Sequence, residues 1–367
     1  MRYIYQNADW PKFYWNNDFI LPILLKTKQS QGEIIGKMKM VGFDSQSQAM
    51  LTSVTQTILT SSEIEGEKLN LEQVRSSISR KLGLETAGEI DIPRDIDGIV
   101  EATLDAVKNY NKPLTKERLI GWHAAMFPTG YSGLYKIETG KYRDDKLGPM
   151  QVVSGVYGIE KVHYEAPPAS TLEKEMKRFL SYVNSFNEAD NIIKAGISHL
   201  WFVILHPFDD GNGRLARIIT DMLLARSDNC SMRFYSMSAE IKKKRKDYYK
   251  ILEETQKGSL DITNWLCWFL ETLNKAIENS SVIFNNILSK TNFWQKNNNL
   301  NLNERQKKII NLLFDGFEGK LTSTKCAKIC KCSQDTATND INELIKFRIL
   351  EKHGQARATC YDLLNKG

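Results

Sequence analysis

Twelve consecutive residues gather a base, carboxylates, glycines and two arginines: His206-Pro207-Phe208-Asp209-Asp210-Gly211-Asn212-Gly213-Arg214-Leu215-Ala216-Arg217. These types in this order point to phosphate chemistry. The segment runs straight into the apolar stretch Ile218 to Ala225, so it reads as a loop followed by a helix start. Backbone N–H groups at Gly211 to Arg214 would lie unpaired at that helix N-terminus, and the glycines would let a phosphate approach them closely. Arg214 and Arg217, three residues apart, share a helix face and can clamp further phosphates bidentately. Asp210 offers oxygen to a divalent cation, and His206 supplies a base whose ordinary pKa is near neutrality. A nucleoside triphosphate held beside a positioned base implies transfer of part of that nucleotide. The Gly-x-x-x-x-Gly-Lys-Ser/Thr pattern is missing from this segment, so an ordinary P-loop is not the explanation.

The elements that must position this loop are mostly helical. Leu51, Val54 and Ile58 recur on one face from Gln46 to Leu59, and that helix leads into Ser61-Ser62-Glu63-Ile64-Glu65-Gly66. Gly66 has the character of a helix stop, and a second amphipathic stretch, Leu71 to Leu82, is closed by Gly83. Gly88 to Pro93 reads as a link. Gly140 to Pro168 is non-helical: Gln151-Val152-Val153-Ser154-Gly155 and Lys161-Val162-His163-Tyr164 flank a turn, which predicts a β-hairpin or flap. Ser170 is the expected N-cap of a helix over Thr171 to Phe186. The nearly all-apolar run Ile192 to Leu205 belongs at the centre of a bundle, and it ends where Pro207 disfavours helical geometry at His206.

Beyond the polar run Asn297-Asn298-Asn299, helices are expected at Glu304 to Phe314, Ser323 to Ile329 and Ser333 to Phe347. Strand-like runs at Ile349 to Lys352 and Thr359 to Leu363 enclose Gly354-Gln355-Ala356-Arg357. That order resembles a winged helix-turn-helix. The expected domains are therefore 1–92, an N-terminal helical module; 93–296, the core; and 297–367, the winged helix.

The loop matches the Fic family signature His-Pro-Phe-x-Asp/Glu-Gly-Asn-Gly-Arg-x-x-Arg at every specified position. The resemblance implies an all-α, mainly helical Fido fold with a β-hairpin flap, here joined to a small C-terminal winged helix-turn-helix domain. It implies a protein adenylyltransferase that moves AMP from ATP to a Ser, Thr or Tyr hydroxyl of a protein and releases pyrophosphate. By position, His206 would deprotonate that hydroxyl and Asp210 would bind Mg²⁺. Gly211, Asn212 and Gly213 would steady the transferred phosphate, and Arg214 and Arg217 would meet the β- and γ-phosphates. Such transfers rest on positioning and on neutralising phosphate charge.

Ser61-x-x-x-Glu65-Gly66 resembles the Ser/Thr-x-x-x-Glu-Gly/Asn inhibitory motif of Fic proteins that carry it N-terminal to the core. Glu65 is then expected to pair with Arg217 and hold the site inactive. Val152, Val153, Ser154 and Gly155 sit where family members place the flap that pins the target segment by main-chain pairing. Tyr249, in preference to Tyr248, is expected near the adenine. The opening Asp9-Trp10-Pro11 also resembles bacterial Fic proteins that carry a C-terminal winged helix. The partners implied are a protein bearing the target hydroxyl, the chain itself included, and a second copy in a homodimer. Two rival functions stay open: removal of AMP by the same site, and a nucleotide-sensing regulator that binds DNA or protein.

Composition narrows the setting. Fifty Lys+Arg against 44 Asp+Glu give a net charge of only +6 over 367 residues, too little to imply nucleic acid. Two thirds of that excess lies in residues 303–367, yet Ser333 to Phe347 carries Asp335, Asp340 and Glu343 against Lys346, a poor surface for phosphates, so DNA binding is not favoured. Lys242 to Lys246 reads as a solvated basic face. Six irregularly spaced cysteines suggest free thiols in a cytoplasmic protein, and Cys326, Cys330, Cys332 and Cys360 lack zinc-knuckle spacing. No apolar run is long enough for a membrane helix, and no signal peptide is evident. His199 is expected to be a hydrogen-bonded core residue.

Overall fold

The three- and four-residue apolar spacing becomes helix over most of the chain. The computed structural model describes residues 3–84, 90–146, 148–155, 161–185, 190–314, 317, 319–354 and 359–364. Gly88 of the expected link, the flap turn at 156–160 and the 355–357 turn lie outside the described residues. The helices are α1 (Asn17–Lys39), α2 (Phe43–Ile64), α3 (Leu71–Leu82), α4 (Arg94–Lys108), α5 (Lys116–Met126), α6 (Ala169–Asn184) and α7 (Asn191–Leu205). They continue with α8 (Asn212–Asp228), α9 (Met237–Lys243), α10 (Arg245–Gln256), α11 (Thr263–Lys296), α12 (Glu304–Phe314), α13 (Ser323–Cys330) and α14 (Gln334–Lys346). Short strands pair as three separate antiparallel ribbons: β1 (Tyr131–Ser132) with β2 (Tyr135–Lys136), β3 (Gln151–Ser154) with β4 (Lys161–Glu165), and β5 (Leu350–His353) with β6 (Cys360–Leu363). The all-α class with a hairpin flap holds. No helix among the described residues is long and apolar enough to cross a membrane.

The chain folds into two compact units, 1–40 with 50–280 and 41–49 with 281–367. This division differs from the expected one. The boundary falls inside α11 because that helix runs through Ser280 without a break, and the asparagine run merely follows its end. Residues 1–40 and 50–92 lie in the same unit as the core. Trp10 packs edge-on against Trp201 with ring centroids 6.0 Å apart, and its indole N–H donates to Glu175 at 2.9 Å.

In the first unit α7 is buried from Ile192 to Leu205 and packs along α8, as an apolar helix must. Each fully buried Leu, Ile or Phe there contributes about 1.5–3 kcal/mol. His199 is a core histidine: its ring nitrogens meet Thr220 Oγ1 at 2.9 Å and the Tyr248 hydroxyl at 2.8 Å, and burial pushes its pKa down to about 3. Beyond α8, Arg233 is buried between Asp221 and Asp228, both at 2.9 Å. α3 ends as expected, with Gly83 left-handed at φ 70°. α6 starts two residues early, at Ala169, where Asp145 accepts the Ala169 N–H at 2.6 Å in place of the expected Ser170 cap. The basic run lies across the break between α9 and α10, and it is not wholly solvated, since Lys242 pairs with Glu63 and Lys243 with Glu240.

The second unit packs α12, α13, α14 and the β5–β6 ribbon around Ile309, Ile310, Ile341, Leu344 and Leu350. Asp340 and Glu343 are turned toward α12: Arg305 holds Asp340 at 2.7 and 3.1 Å, and Gln306 donates to Glu343 at 2.6 Å. The acid count of Ser333 to Phe347 therefore overstates the charge on its outer face. The cysteines are free thiols, and no group of three or more His, Cys, Asp or Glu converges among the described residues.

Candidate active site

The loop between α7 and α8 is held open by its own backbone and by three braces. His206 ends α7 in the left-handed region at φ 47°, and Gly211 caps α8 at φ 79°, so the chain reverses within six residues. The Asn212 side chain, 2% exposed, spans the turn, donating to the Phe208 carbonyl at 2.7 Å and accepting the Phe208 N–H at 3.0 Å. This corrects one expectation. The Asn212 amide is committed to the loop, which leaves phosphate contact to backbone N–H groups. Phe208 is fully buried and stacks on His123 of α5 at 4.1 Å, and His123 Nε2 donates to the Asp210 carbonyl at 3.2 Å. Arg143 supplies the third brace, donating to the His206 carbonyl at 2.8 Å and to Pro167 at 2.6 Å.

His206 Nδ1 faces the Val203 carbonyl at 3.3 Å. A carbonyl only accepts, so Nδ1 carries the proton and Nε2 presents its lone pair. Burial pushes the ring down to about 4, which keeps it a neutral base at pH 7. Asp210 accepts from the Ser132 hydroxyl of β1 and from the Gly211 N–H at 2.5 Å. A single carboxylate of this kind suits Mg²⁺ shared with substrate phosphates, because that ion keeps water and phosphate oxygens as its other ligands.

The N-terminus of α8 is covered by the end of α2. The helix runs on through Ser61 to Ile64, and Gly66 turns the chain at φ 91°. Arg217, 3% exposed, donates through Nε to Ser61 Oγ at 2.8 Å and through Nη2 to the Ser61 carbonyl at 3.0 Å and Glu65 Oε1 at 2.6 Å. The hydroxyl and the carbonyl of Ser61 are thus both used on the guanidinium edge, while Nη1 is buried with no hydrogen-bond partner among the described residues. A Cβ on Gly213 would lie 2.1 Å from Glu65 Oε1, so the carboxylate occupies the space that glycine leaves at the helix start. Glu67 reaches Arg214 at 2.6 Å. Burial pushes the Glu67 carboxyl above its ordinary pKa against the pull of Arg214. A cavity of about 690 Å³ opens beside this pair, lined in part by Arg94, Tyr131 and Ser132.

Tyr249 of α10 donates its hydroxyl to the Ile64 carbonyl at 3.2 Å and to Glu65 at 3.4 Å, whereas Tyr248 is buried against His199. Val152, Val153, Ser154 and Gly155 lie apart from this cluster on the flap, with Val153 and Ser154 exposed. The structure therefore joins Glu65, Gly213, Arg214, Arg217 and Tyr249 at one end of α8, with His206 and Asp210 on the loop. Glu67, His123 and Arg143 were not foreseen. Glu67 had a signal, a carboxylate two residues beyond Glu65, but the two braces come from elements remote in the chain and had none.

Fold and loop together define a Fic/DOC domain: residues 113–224 match the family model described as Fic/DOC family, and residues 3–84 match one described as a domain of unknown function, DUF4172. The chain carries a Fic/DOC-family domain. It is similar to the protein adenylyltransferase Fic of Nematostella vectensis, 26% identical over 213 residues, covering 56% of this chain and 44% of that protein. It is also similar to a probable protein adenylyltransferase of Aquifex aeolicus (strain VF5), 24% identical over 204 residues, covering 54% and 56%. The chain spans about half the length of these curated relatives. A Fic family protein from Desulfovibrio desulfuricans G20 has a similar fold, with TM-score 0.55, 22% identity and coverage of 96% and 98%. Fic-1 from C. elegans gives TM-score 0.52 at 19% identity, covering 75% and 76%.

Proposed function

We propose that this chain is a protein adenylyltransferase, moving AMP from ATP to a hydroxyl of a protein, and that the conformation described here is its inhibited form. The observation that carries this reading is the Glu65 carboxylate over Gly213, bonded to Arg217, where a phosphate would otherwise meet the α8 N-terminus. His206 Nε2 would take the proton of the target hydroxyl as its oxygen attacks the α-phosphorus in line. The bond to the bridging β-phosphate oxygen breaks, and pyrophosphate leaves. Backbone N–H groups of Gly211 to Arg214 hold the transferred phosphate, and Arg214 and Arg217 hold the departing ones. Mg²⁺, held by Asp210, neutralises phosphate charge when bound. The outer edge of β3 is unpaired among the described residues, which suits main-chain pairing with an extended target segment. Tyr249 turns to the adenine once Glu65 has left it.

Inhibition uses two carboxylates from one turn, Glu65 on Arg217 and Glu67 on Arg214, so both arginines are engaged before ATP arrives. The experiment is incubation of wild type, Glu65→Gly and His206→Ala with α-³²P-ATP and Mg²⁺. Label on protein that rises in Glu65→Gly and vanishes when His206 is also replaced supports the proposal. The proposal fails if no variant transfers label. Removal of AMP is a second reading, motivated by a carboxylate, Glu65, that already lies over Gly213 at the α8 N-terminus. Release of AMP from a labelled protein by wild type, but not by Glu65→Gly, would identify it.

A further inference from the structure

We propose that the cavity beside the Glu67–Arg214 pair is a second ligand site, which takes a small phosphate ester with a flat, donor-bearing ring, the chemistry of a nucleoside monophosphate, and holds the chain in its inhibited form. The inference rests on the inhibited conformation proposed above and adds a ligand that stabilises it. The cavity, about 690 Å³, has the size that takes a small organic molecule, well beyond what a lone anion fills. Its wall has two halves. Ser62, Glu67, Lys68 and Leu69 come from the end of α2 and the turn after it, whereas Arg94, Asp95, Tyr131 and Arg214 come from α4, β1 and α8. His206, Arg217 and Tyr249 do not line it, so it is separate from the place where Glu65 lies.

Two donors on that wall are buried without a hydrogen-bond partner among the described residues. Arg214, 6% exposed, gives Nη1 to Glu67 and rests its guanidinium 4.9 Å from the centre of the Phe127 ring, yet its Nε bonds nothing. The hydroxyl of Ser62, fully buried, bonds nothing either. A buried donor left unpaired costs about 1–3 kcal/mol, which a ligand oxygen would offset. Lys68 and Arg94 are exposed, and neither has an ion pair among the described residues. Arg94 also opens α4, where Pro93 supplies no capping side chain, so the positive end of that helix lies on the same wall. Against the three cations stand two carboxylates, of which Glu67 is already engaged by Arg214. Such a wall suits a phosphate dianion. Asp95 would accept from hydroxyls or an amine on the rest of the ligand, and the Tyr131 ring, 49% exposed, offers a face for a flat ring to stack on.

The two halves of the wall belong to parts that separate when Glu65 leaves Arg217. A ligand that touches both therefore binds the inhibited form and loses half its contacts in the open one, so it shifts the population toward inhibition. At about ten times its dissociation constant the open population falls about tenfold.

The test titrates wild type, and a variant carrying both Lys68→Gln and Arg94→Gln, with AMP, GMP, CMP, UMP and inorganic phosphate by calorimetry. At least one nucleoside monophosphate is expected to bind wild type more tightly than inorganic phosphate does, and to bind the variant roughly tenfold more weakly or worse, the scale of a lost charge-assisted bond. At about ten times the dissociation constant, amide hydrogen exchange of residues 62–69 should slow about tenfold in wild type, and incorporation of label from α-³²P-ATP should fall by the same factor. The inference is overturned if no nucleoside monophosphate binds more tightly than inorganic phosphate, if the variant binds as tightly as wild type, or if bound ligand leaves exchange at 62–69 unchanged or faster. Binding with slowed exchange in a chain whose Glu65→Gly form never transfers label would overturn the transfer activity and leave this site standing.

Discussion

Replacing Glu65 by glycine separates the two carboxylates by the energy each contributes. Glu65 makes a charge-assisted bond to an arginine only 3% exposed, an interaction of about 1.5–3 kcal/mol, or roughly 10- to 150-fold in the equilibrium between closed and open α2 ends. Glu67 is 41% exposed, so its bond to Arg214 is screened and contributes at most about 1 kcal/mol, roughly fivefold. At ATP concentrations well below saturation, initial rates of α-³²P incorporation should therefore rise roughly 10- to 100-fold in Glu65→Gly. Glu67→Gln should raise them about fivefold or less. The double variant should exceed either, because ATP needs both arginines. A Glu67→Gln effect as large as that of Glu65→Gly, or an unchanged rate in Glu65→Gly, would refute the assignment of the main lock to the Arg217 pair.

Other consequences can be measured separately. Gly213→Ala places a Cβ 2.1 Å from the position of Glu65 Oε1 and in the path of a phosphate. It should displace Glu65 yet leave transfer near zero, and ATP titration by calorimetry should find binding weakened even with Glu65→Gly present. His123 and His199 are fully buried and pushed down to about 4 and about 3. The unfolded chain, with histidines near 6.5, binds more protons below that pH, so their stabilising contribution is complete above pH 6.5 and is lost as pH falls through those values. The slope is about 1.4 kcal/mol per pH unit for each, and urea midpoints between pH 7 and 4.5 will test it. Arg233→Met strands Asp221 and Asp228 in the core and should cost about 3–5 kcal/mol in urea unfolding, with little change if the pair were solvated.

Much of this was legible in the residues because local rules set it. The spacing of Leu51, Val54 and Ile58 places α2, Gly83 closes α3, and the apolar run before His206 could only be a central helix. The Glu65–Arg217 contact was legible because two short patterns, far apart in the chain, each specify one partner. What escaped has a common cause: sequence spacing does not say which way a side chain turns. Asn212 was read as a phosphate ligand, yet its amide faces back into the loop, where the Phe208 backbone would otherwise lack partners. Asp340 and Glu343 were counted on an outer face and instead bond α12. Trp10 reaching Trp201 across the fold is likewise a contact that no window along the chain can reveal.

The loop between α7 and α8 is fastened by Asn212, His123 and Arg143, and the two helices beside it are buried along almost their whole length. At the end of α2 Ser61, Ser62 and Ile64 are buried, but the two carboxylates that engage the arginines just beyond them reach solvent, Glu65 being 31% and Glu67 41% exposed. Local opening free energies follow this kind of difference, with rims parting long before cores do. Warming or a little urea should therefore loosen the restraint before it disturbs the chemistry, and activity should climb through a maximum under conditions that usually only diminish it. An enzyme built this way is stiffest where it reacts and softest where it is held back.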